Sequence, residues 1–392
     1  MIDCLCVLRN EIDLVRPFLS HHRALGVDRF VMIDNGSTDG TREYLAGQDD
    51  VLLVDELGSY RDSRAGIAWL NREGEARCRG NWTLILDADE FFLPPRPNEN
   101  LLALASRMEG ASARALPASM VTMMPSRRVD GSPSGCSHEQ ASSLNDLLRS
   151  SPWYAPRGLH VWRDRNRFPY VDMRCTAWAR LGQPKYNPSL LKLAFVRWSP
   201  GFRLLQANHV TSDVDLSTEI GLLAHLKFRA GVTQRGRSER QRGERMNREV
   251  ATAMSRMERR LDEERLQNAG FRKLSVPYSL RDTDWCDPDG SVRALPSQIR
   301  NRMHARAPVP AATAEDVRVL LAQPVVRRTR ALRGVLARWD LVHHTLLAEQ
   351  MLAVGDTTGA YGAAKRLERG WPGVAAAVMR HCRRRIAGRF TR

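Results

Sequence analysis

Four short apolar runs in the first quarter of the chain constrain its fold most: IDCLCVL (2–8), RFVMID (29–34), VLLVDE (51–56) and WTLILD (82–87). They are too short for ordinary helices and rich in branched side chains, the pattern of strands buried on both faces. Helical spacing fills the gaps. In RNEIDLVRPFLSHHRALG (9–26) the apolar positions Ile12, Leu14, Val15, Phe18, Leu19 and Leu25, with His22, recur every three or four residues, and Gly26 is a natural C-terminal cap. TREYLAG (41–47) and AGIAWLNREGEARCRG (65–80) read as two further helices. Strands alternating with helices predict a parallel sheet with right-handed crossovers.

In such sheets ligands bind outside the carboxyl ends of the strands. Here those ends carry Arg9-Asn10-Glu11, Asp34-Asn35, Asp55-Glu56 and Asp87-Ala88-Asp89, so polar and acidic groups gather on one rim. Asp87 and Asp89 are two apart. If the strand runs through them, both side chains point the same way, and paired carboxylates can hold Mg²⁺ or Mn²⁺ with phosphate oxygens and water completing the shell. On that geometry Glu90 faces the other way and supports the site only indirectly. In IDNGSTDGT (33–41), Asp34 stands at a strand tip where it can accept hydrogen bonds from a nucleobase or ribose. Gly36 and Gly40 allow tight turns, and Thr38 or Asp39 suits the cap of the following helix.

The chain has 392 residues and a formal net charge of +16, which favours an anionic partner such as nucleotide phosphate, acidic membrane or nucleic acid. Its 7 cysteines are scattered with no CxxC, predicting a reducing compartment without a disulfide framework. Asp3, Arg9 and Glu11 break up the start of the chain, so no signal peptide is expected, and no run reaches the roughly 18 apolar residues of a membrane span. A cytoplasmic location follows. The arginine-rich segment 233–265 reads as a solvated helical face, while the tail RHCRRRIAGRFTR (380–392) suits peripheral contact with the anionic inner face of a membrane.

Taken together, VLRNEIDLVRPFLSHHRALGVDRFVMIDNGSTDGT (7–41), YRDSRAGIAWLN (60–71) and WTLILDADEFF (82–92) resemble a family 2-type glycosyltransferase. The resemblance is close over residues 3–95 and fades by about 230. It implies a GT-A fold: a Rossmann-like, mostly parallel α/β sheet flanked by helices. It also implies a nucleotide-diphospho-sugar donor, UDP-sugar favoured, an Mn²⁺ or Mg²⁺ cofactor, a glycan or lipid-linked acceptor, and inversion at the anomeric carbon in surface polysaccharide synthesis. By the same resemblance Asp34 contacts the base, Arg9 and Glu11 lie at the nucleotide end of the first strand, and Asp87 and Asp89 form the metal and diphosphate motif. Arg61 and Ser63 fall where the third strand meets the nucleotide. His209 is implied as a further metal ligand, and His225 and Lys227 as groups facing the diphosphate. An inverting reaction needs a carboxylate base; Asp172 is the first candidate and Asp164 the second, although neighbouring arginines offer each an ordinary ion pair.

The expected organisation is a GT-A domain over 1–230, with a nucleotide-binding half (1–95) and an acceptor half (96–230). A charged helical region (231–305) and a basic helical C-terminal extension (306–392) follow. The adjacent pairs His21-His22 and His343-His344 read as structural. Two other classes compete. A sugar-phosphate nucleotidylyltransferase would carry a Gly-rich basic loop after the first strand, where this chain has RNEIDL. A nucleic-acid binder is suggested by the charge but opposed by the acidic rim.

Overall fold

The computed structural model describes residues 1–125, 141–157, 160–163, 169–172, 190–206, 209–211, 214–228, 241–244 and 263–294. The chain divides into two compact units, one of Met1–Gly158 with Met173–Ala305 and one of Leu159–Asp172 with Arg306–Arg392. In the second unit the described part is an antiparallel pair, β8 (His160–Arg163) and β9 (Pro169–Asp172). The tail, His343-His344 and Asp164 lie outside the described residues.

The first unit opens as the periodicity predicts: β1 (Ile2–Leu8), α1 (Ile12–Ala24), β2 (Arg29–Asp34), α2 (Thr41–Ala46), β3 (Val51–Asp55), α3 (Ile67–Arg77) and β4 (Trp82–Asp87). β3, β2, β1 and β4 are parallel neighbours in that order. A short β5 (Glu90–Leu93), α4 (Leu101–Gly110) and the fully buried β6 (Ala115–Met124) follow. After α5 (Leu144–Ser150) and β7 (Trp153–Tyr154), β10 (Leu191–Arg197) runs back antiparallel between β4 and β6. Beyond a small β11–β12 pair (Leu204–Gln206, Val210–Thr211), β13 (Gly221–His225) lies parallel to β6 and antiparallel to β5. α6 (Glu263–Asn268) leads to β14 (Arg272–Lys273), which pairs antiparallel with β7 at the edge of the sheet. The result is a mixed α/β sheet with a parallel centre flanked by helices. Among the described residues no helix is long and apolar enough to cross a membrane.

Close packing fixes the helices on this sheet. α3 buries Ile67, Trp69 and Leu70, and a Cβ on its Gly74 would fall 2.2 Å from the Trp198 ring. Only a residue without a side chain lets that indole, fully buried, lie against the helix. α1 buries Leu14, Val15, Phe18, Leu19 and His22. Its two histidines clamp β5. His21 Nε2 is 2.7 Å from the Phe92 carbonyl, while His22 Nδ1 donates to the Phe18 carbonyl at 2.8 Å and Nε2 accepts from the Phe92 amide at 3.2 Å. That bonding needs a neutral His22 imidazole. Burial, reinforced by His21, pushes its pKa well below 6.5 despite the opposing pull of the Phe18 carbonyl.

Two predictions follow from this packing. A group whose pKa is depressed by folding contributes stability above its unfolded value, which is lost as pH falls. The denaturation midpoint should therefore drop between about pH 7 and about pH 5, and His22→Gln should shallow that drop when both proteins are melted across the range. Gly74→Ala should cost roughly 3 kcal/mol in urea unfolding, because the indole has nowhere to retreat.

Candidate active site

The rim at the carboxyl ends of β1, β2, β3 and β4 has two parts. The first is built on the loop after β2. Asp34 is fully buried. Its Oδ2 accepts from the Ser37 amide at 2.9 Å, while its Oδ1 is a buried acceptor without a hydrogen-bond partner among the described residues. Such an atom is costly unless something supplies a donor. Around it the loops are cross-tied: Asn10 N donates to Ser37 Oγ at 2.9 Å, Thr38 N to Asn10 Oδ1 at 2.8 Å, and Glu11 N to Thr41 Oγ1 at 2.9 Å. Asp39 meets the first amides of both neighbouring helices, its Oδ1 accepting from Thr41 N at 3.0 Å and its Oδ2 from Ile12 N at 3.2 Å, while Gly40 and Glu11 stand at the cap positions. Gly36 takes a positive φ, and a Cβ there would press on Arg9 Nη1 at 3.1 Å. Arg9 in turn donates to the Asn35 carbonyl. Burial, then the nearby Arg242, lowers its pKa.

The turn 60–66 forms the side of this part. Ser63 is buried, with its hydroxyl committed within the turn: it donates to the Tyr60 carbonyl at 2.7 Å and accepts from Gly66 N at 2.9 Å. Arg64, Ala65 and Gly66 all have positive φ, a costly run for residues with side chains. Glu244, which nothing in the sequence singles out, accepts from the Arg61 amide at 2.9 Å and from Ser59 Oγ at 3.0 Å. Those bonds hold its carboxyl below the usual range.

The second part is the acidic corner. The strand does not run through the DAD sequence: β4 ends at Asp87 and a turn at Ala88-Asp89 precedes β5. The alternation that would set Asp87 beside Asp89 is therefore broken, and the expectation that Glu90 points away is corrected. Asp89, Glu90 and His225 converge instead, each offering one ligand atom within 4.8 Å of the others. The cause is strand register. β13 runs antiparallel to β5 with His225 opposite Glu90, and cross-strand partners share a face. His225 Nε2 lies 3.6 Å from Asp89 Oδ2, and the Leu226 amide bonds the Asp89 carbonyl at 2.9 Å. Lys227 stands two residues beyond the end of β13.

Asp87, with a side chain 59% exposed, meets Lys192 Nζ at 2.6 Å. Lys192 also bonds the buried Glu90 at 2.6 Å. Burial raises the Glu90 pKa against the attraction of Lys192. Burial alone would pull the Lys192 pKa down, but Asp87 and Glu90 outweigh it and hold the ammonium above the ordinary lysine range. Lys192 escapes a motif search, although one signal was present: a lone lysine inside the apolar run LLKLAFV (190–196). His209 Nδ1 turns to the Leu191 carbonyl at 2.7 Å, and His209 is not a member of the converging group. Asp172 ends β9 in the second unit.

No protein-family model matches the chain. Part of it is similar to glycosyltransferase family 92 proteins, with 31% identity over 104 residues to one from Ricinus communis and 32% over 101 residues to one from Arabidopsis thaliana. Each match covers 24% of this chain, and the chain spans only 16% of the length of these curated relatives. Among solved structures, a 4-diphosphocytidyl-2C-methyl-D-erythritol synthase overlaps 34% of this chain and 66% of its own at 19% identity and a TM-score of 0.22. HddC from Yersinia pseudotuberculosis overlaps 51% and 75% at 8% identity and a TM-score of 0.25.

Two carboxylates and an imidazole form a mixed oxygen and nitrogen donor set that a divalent transition-metal ion such as Mn²⁺ would fit better than Mg²⁺. Calorimetric titration with Mn²⁺ should therefore show binding that Asp89→Asn and His225→Ala each weaken by at least about tenfold, the fold remaining intact by circular dichroism.

Proposed function

We propose that this protein is a metal-dependent glycosyltransferase that moves a sugar from a nucleotide-diphospho-sugar, a UDP-sugar favoured, to a glycan or lipid-linked acceptor. One observation carries the reading above the others. Asp34 Oδ1, buried and unpartnered among the described residues, and the converging Asp89, Glu90 and His225 both lie along one rim of the same mixed sheet, at the carboxyl ends of its parallel strands. A nucleobase N–H is the kind of donor Asp34 lacks, and a divalent cation is what the acidic corner suits. The family 92 likeness and the family 2-type motifs support the same chemistry.

In this reading Asp34 accepts from the base, Arg9 and the turn around Arg61 and Ser63 shape the base and ribose side, and Asp89, Glu90 and His225 hold Mn²⁺ or Mg²⁺. The ion, when bound, offsets the charge that develops on the departing diphosphate. The protein's own contribution is to orient the donor: the cross-tied 35–41 loop fixes the base end, and His225 and Lys227 bring imidazole and ammonium groups to the diphosphate end. Inversion requires a carboxylate that takes the acceptor hydroxyl proton. The route into surface polysaccharide synthesis belongs to the same proposal.

Melting the protein with UDP, GDP, CMP and dTDP, each with and without Mn²⁺, tests this. A ligand at one hundred times its dissociation constant stabilises by about 2.7 kcal/mol. UDP should raise the melting temperature, more so with Mn²⁺. Asp34→Ala should weaken UDP roughly 10- to 100-fold, the worth of a hydrogen bond to a charged acceptor. No shift with any nucleotide would sink the donor-site reading.

A further inference from the structure

The acidic corner carries a cation of its own. Lys192 is only 4% exposed, and an ammonium is almost never buried without partners. Strand pairing delivers it. β10 pairs antiparallel with β4 through Phe195 with Leu84 and Val196 with Thr83. Past that ladder β10 bulges between Leu193 and Phe195, and Lys192 comes to the carboxyl end of β4 beside Asp87. There its Nζ bonds Asp87 Oδ2 and Glu90 Oε1, each at 2.6 Å. The other Glu90 oxygen, Oε2, accepts from the Asp87 amide at 3.1 Å. Asp87 and Glu90 are thus joined twice, through the backbone and through the lysine, and the turn between them is closed.

This tie divides the three carboxylates. Asp87 Oδ2 faces an ammonium, while Asp89 faces His225. Glu90 belongs to both groups. Three carboxylates and one ammonium leave two negative charges, which a single divalent ion neutralises. Without Lys192 a third would remain, and crowded like charges disfavour one another's ionised forms.

Resting on the metal-site reading above, we infer that Lys192 is a positioning residue for that site. Its ammonium holds Asp87 as an anchor rather than a ligand and fixes Glu90, so that the corner takes one divalent cation on Asp89, Glu90 and His225. Asp87 acts on the ion only through Lys192.

The test titrates Mn²⁺ into the full chain without nucleotide and counts free ion by electron paramagnetic resonance. The wild type should bind one Mn²⁺ per chain at this corner. Lys192→Met should weaken it about 10- to 100-fold, the usual effect of removing a group that orients a ligand, and Lys192→Arg, which keeps the charge, should recover most of the loss. A lysine that only supported the fold would lower the melting temperature and leave the Mn²⁺ affinity of the folded protein unmoved. Asp87→Asn alters an exposed side chain and remains informative should Lys192→Met not fold. It should keep Mn²⁺ within about tenfold, whereas Asp89→Asn should lose more than about a hundredfold. A folded Lys192→Met with wild-type affinity, or Asp87→Asn as damaging as Asp89→Asn, overturns the inference while the metal site stands. A wild type that binds no Mn²⁺ overturns the metal reading itself, and this inference with it.

Discussion

The buried pairing of Glu90 with Lys192 is the constraint on which the rest of this site depends. Glu90 is fully buried at the start of β5, and its charge is tolerable there only because an ammonium and a backbone amide meet it. Removing one partner of such a pair typically costs about 3–5 kcal/mol, since the other is left charged in an apolar setting. The pair also depends on the topology. β4 must end and turn at Ala88, β10 must return antiparallel beside it, and β5 must lie where the His21 and His22 clamp can hold it. Carboxylates that would repel one another in a free loop are thereby gathered at one point of the sheet.

The nucleotide end of the rim is built differently. It depends on short polar side chains that satisfy the backbone of neighbouring loops: Asn10, Ser37, Asp39 and Thr41 tie the end of β1 to the loop after β2. Within this network Asp34 Oδ1 has no partner among the described residues. An acceptor so isolated in a rigid surround is suited to select a ligand by a single donor, because the alternative is a buried polar group left unpaired.

Much of the architecture was legible in the chain. The four apolar runs became the four parallel strands, the spacing in 9–26 became α1, and Gly26 took the positive φ of a helix end; the cap of α2 fell on Gly40 instead of Thr38 or Asp39. These depend on local periodicity and turn chemistry, which neighbouring residues decide. The rim of strand ends was equally readable, and Asp34 and Asp89 stand on it as the motifs place them. The orientation of Asp87 was not, because a turn one residue earlier than alternation assumes redirects the chain. Ser63 falls where the resemblance brings the third strand to the nucleotide, and its hydroxyl closes its own turn. Glu244 lies 183 residues from its partner Arg61, beyond the reach of any local pattern.

By itself, then, the sequence determined the alternating strands and helices, the side of the sheet on which polar groups collect, and the family of motifs they resemble. Those properties follow from side-chain period and from turn residues within a few positions. Tertiary structure alone decided which carboxylates converge and which cation stands among them. Lys192 reaches Asp87 across 105 residues, and His225 reaches Asp89 through the pairing of β13 with β5. The physical reason is register: a strand's partner and offset are set by burial over the whole sheet, and shifting either by one residue would turn these side chains to the opposite face.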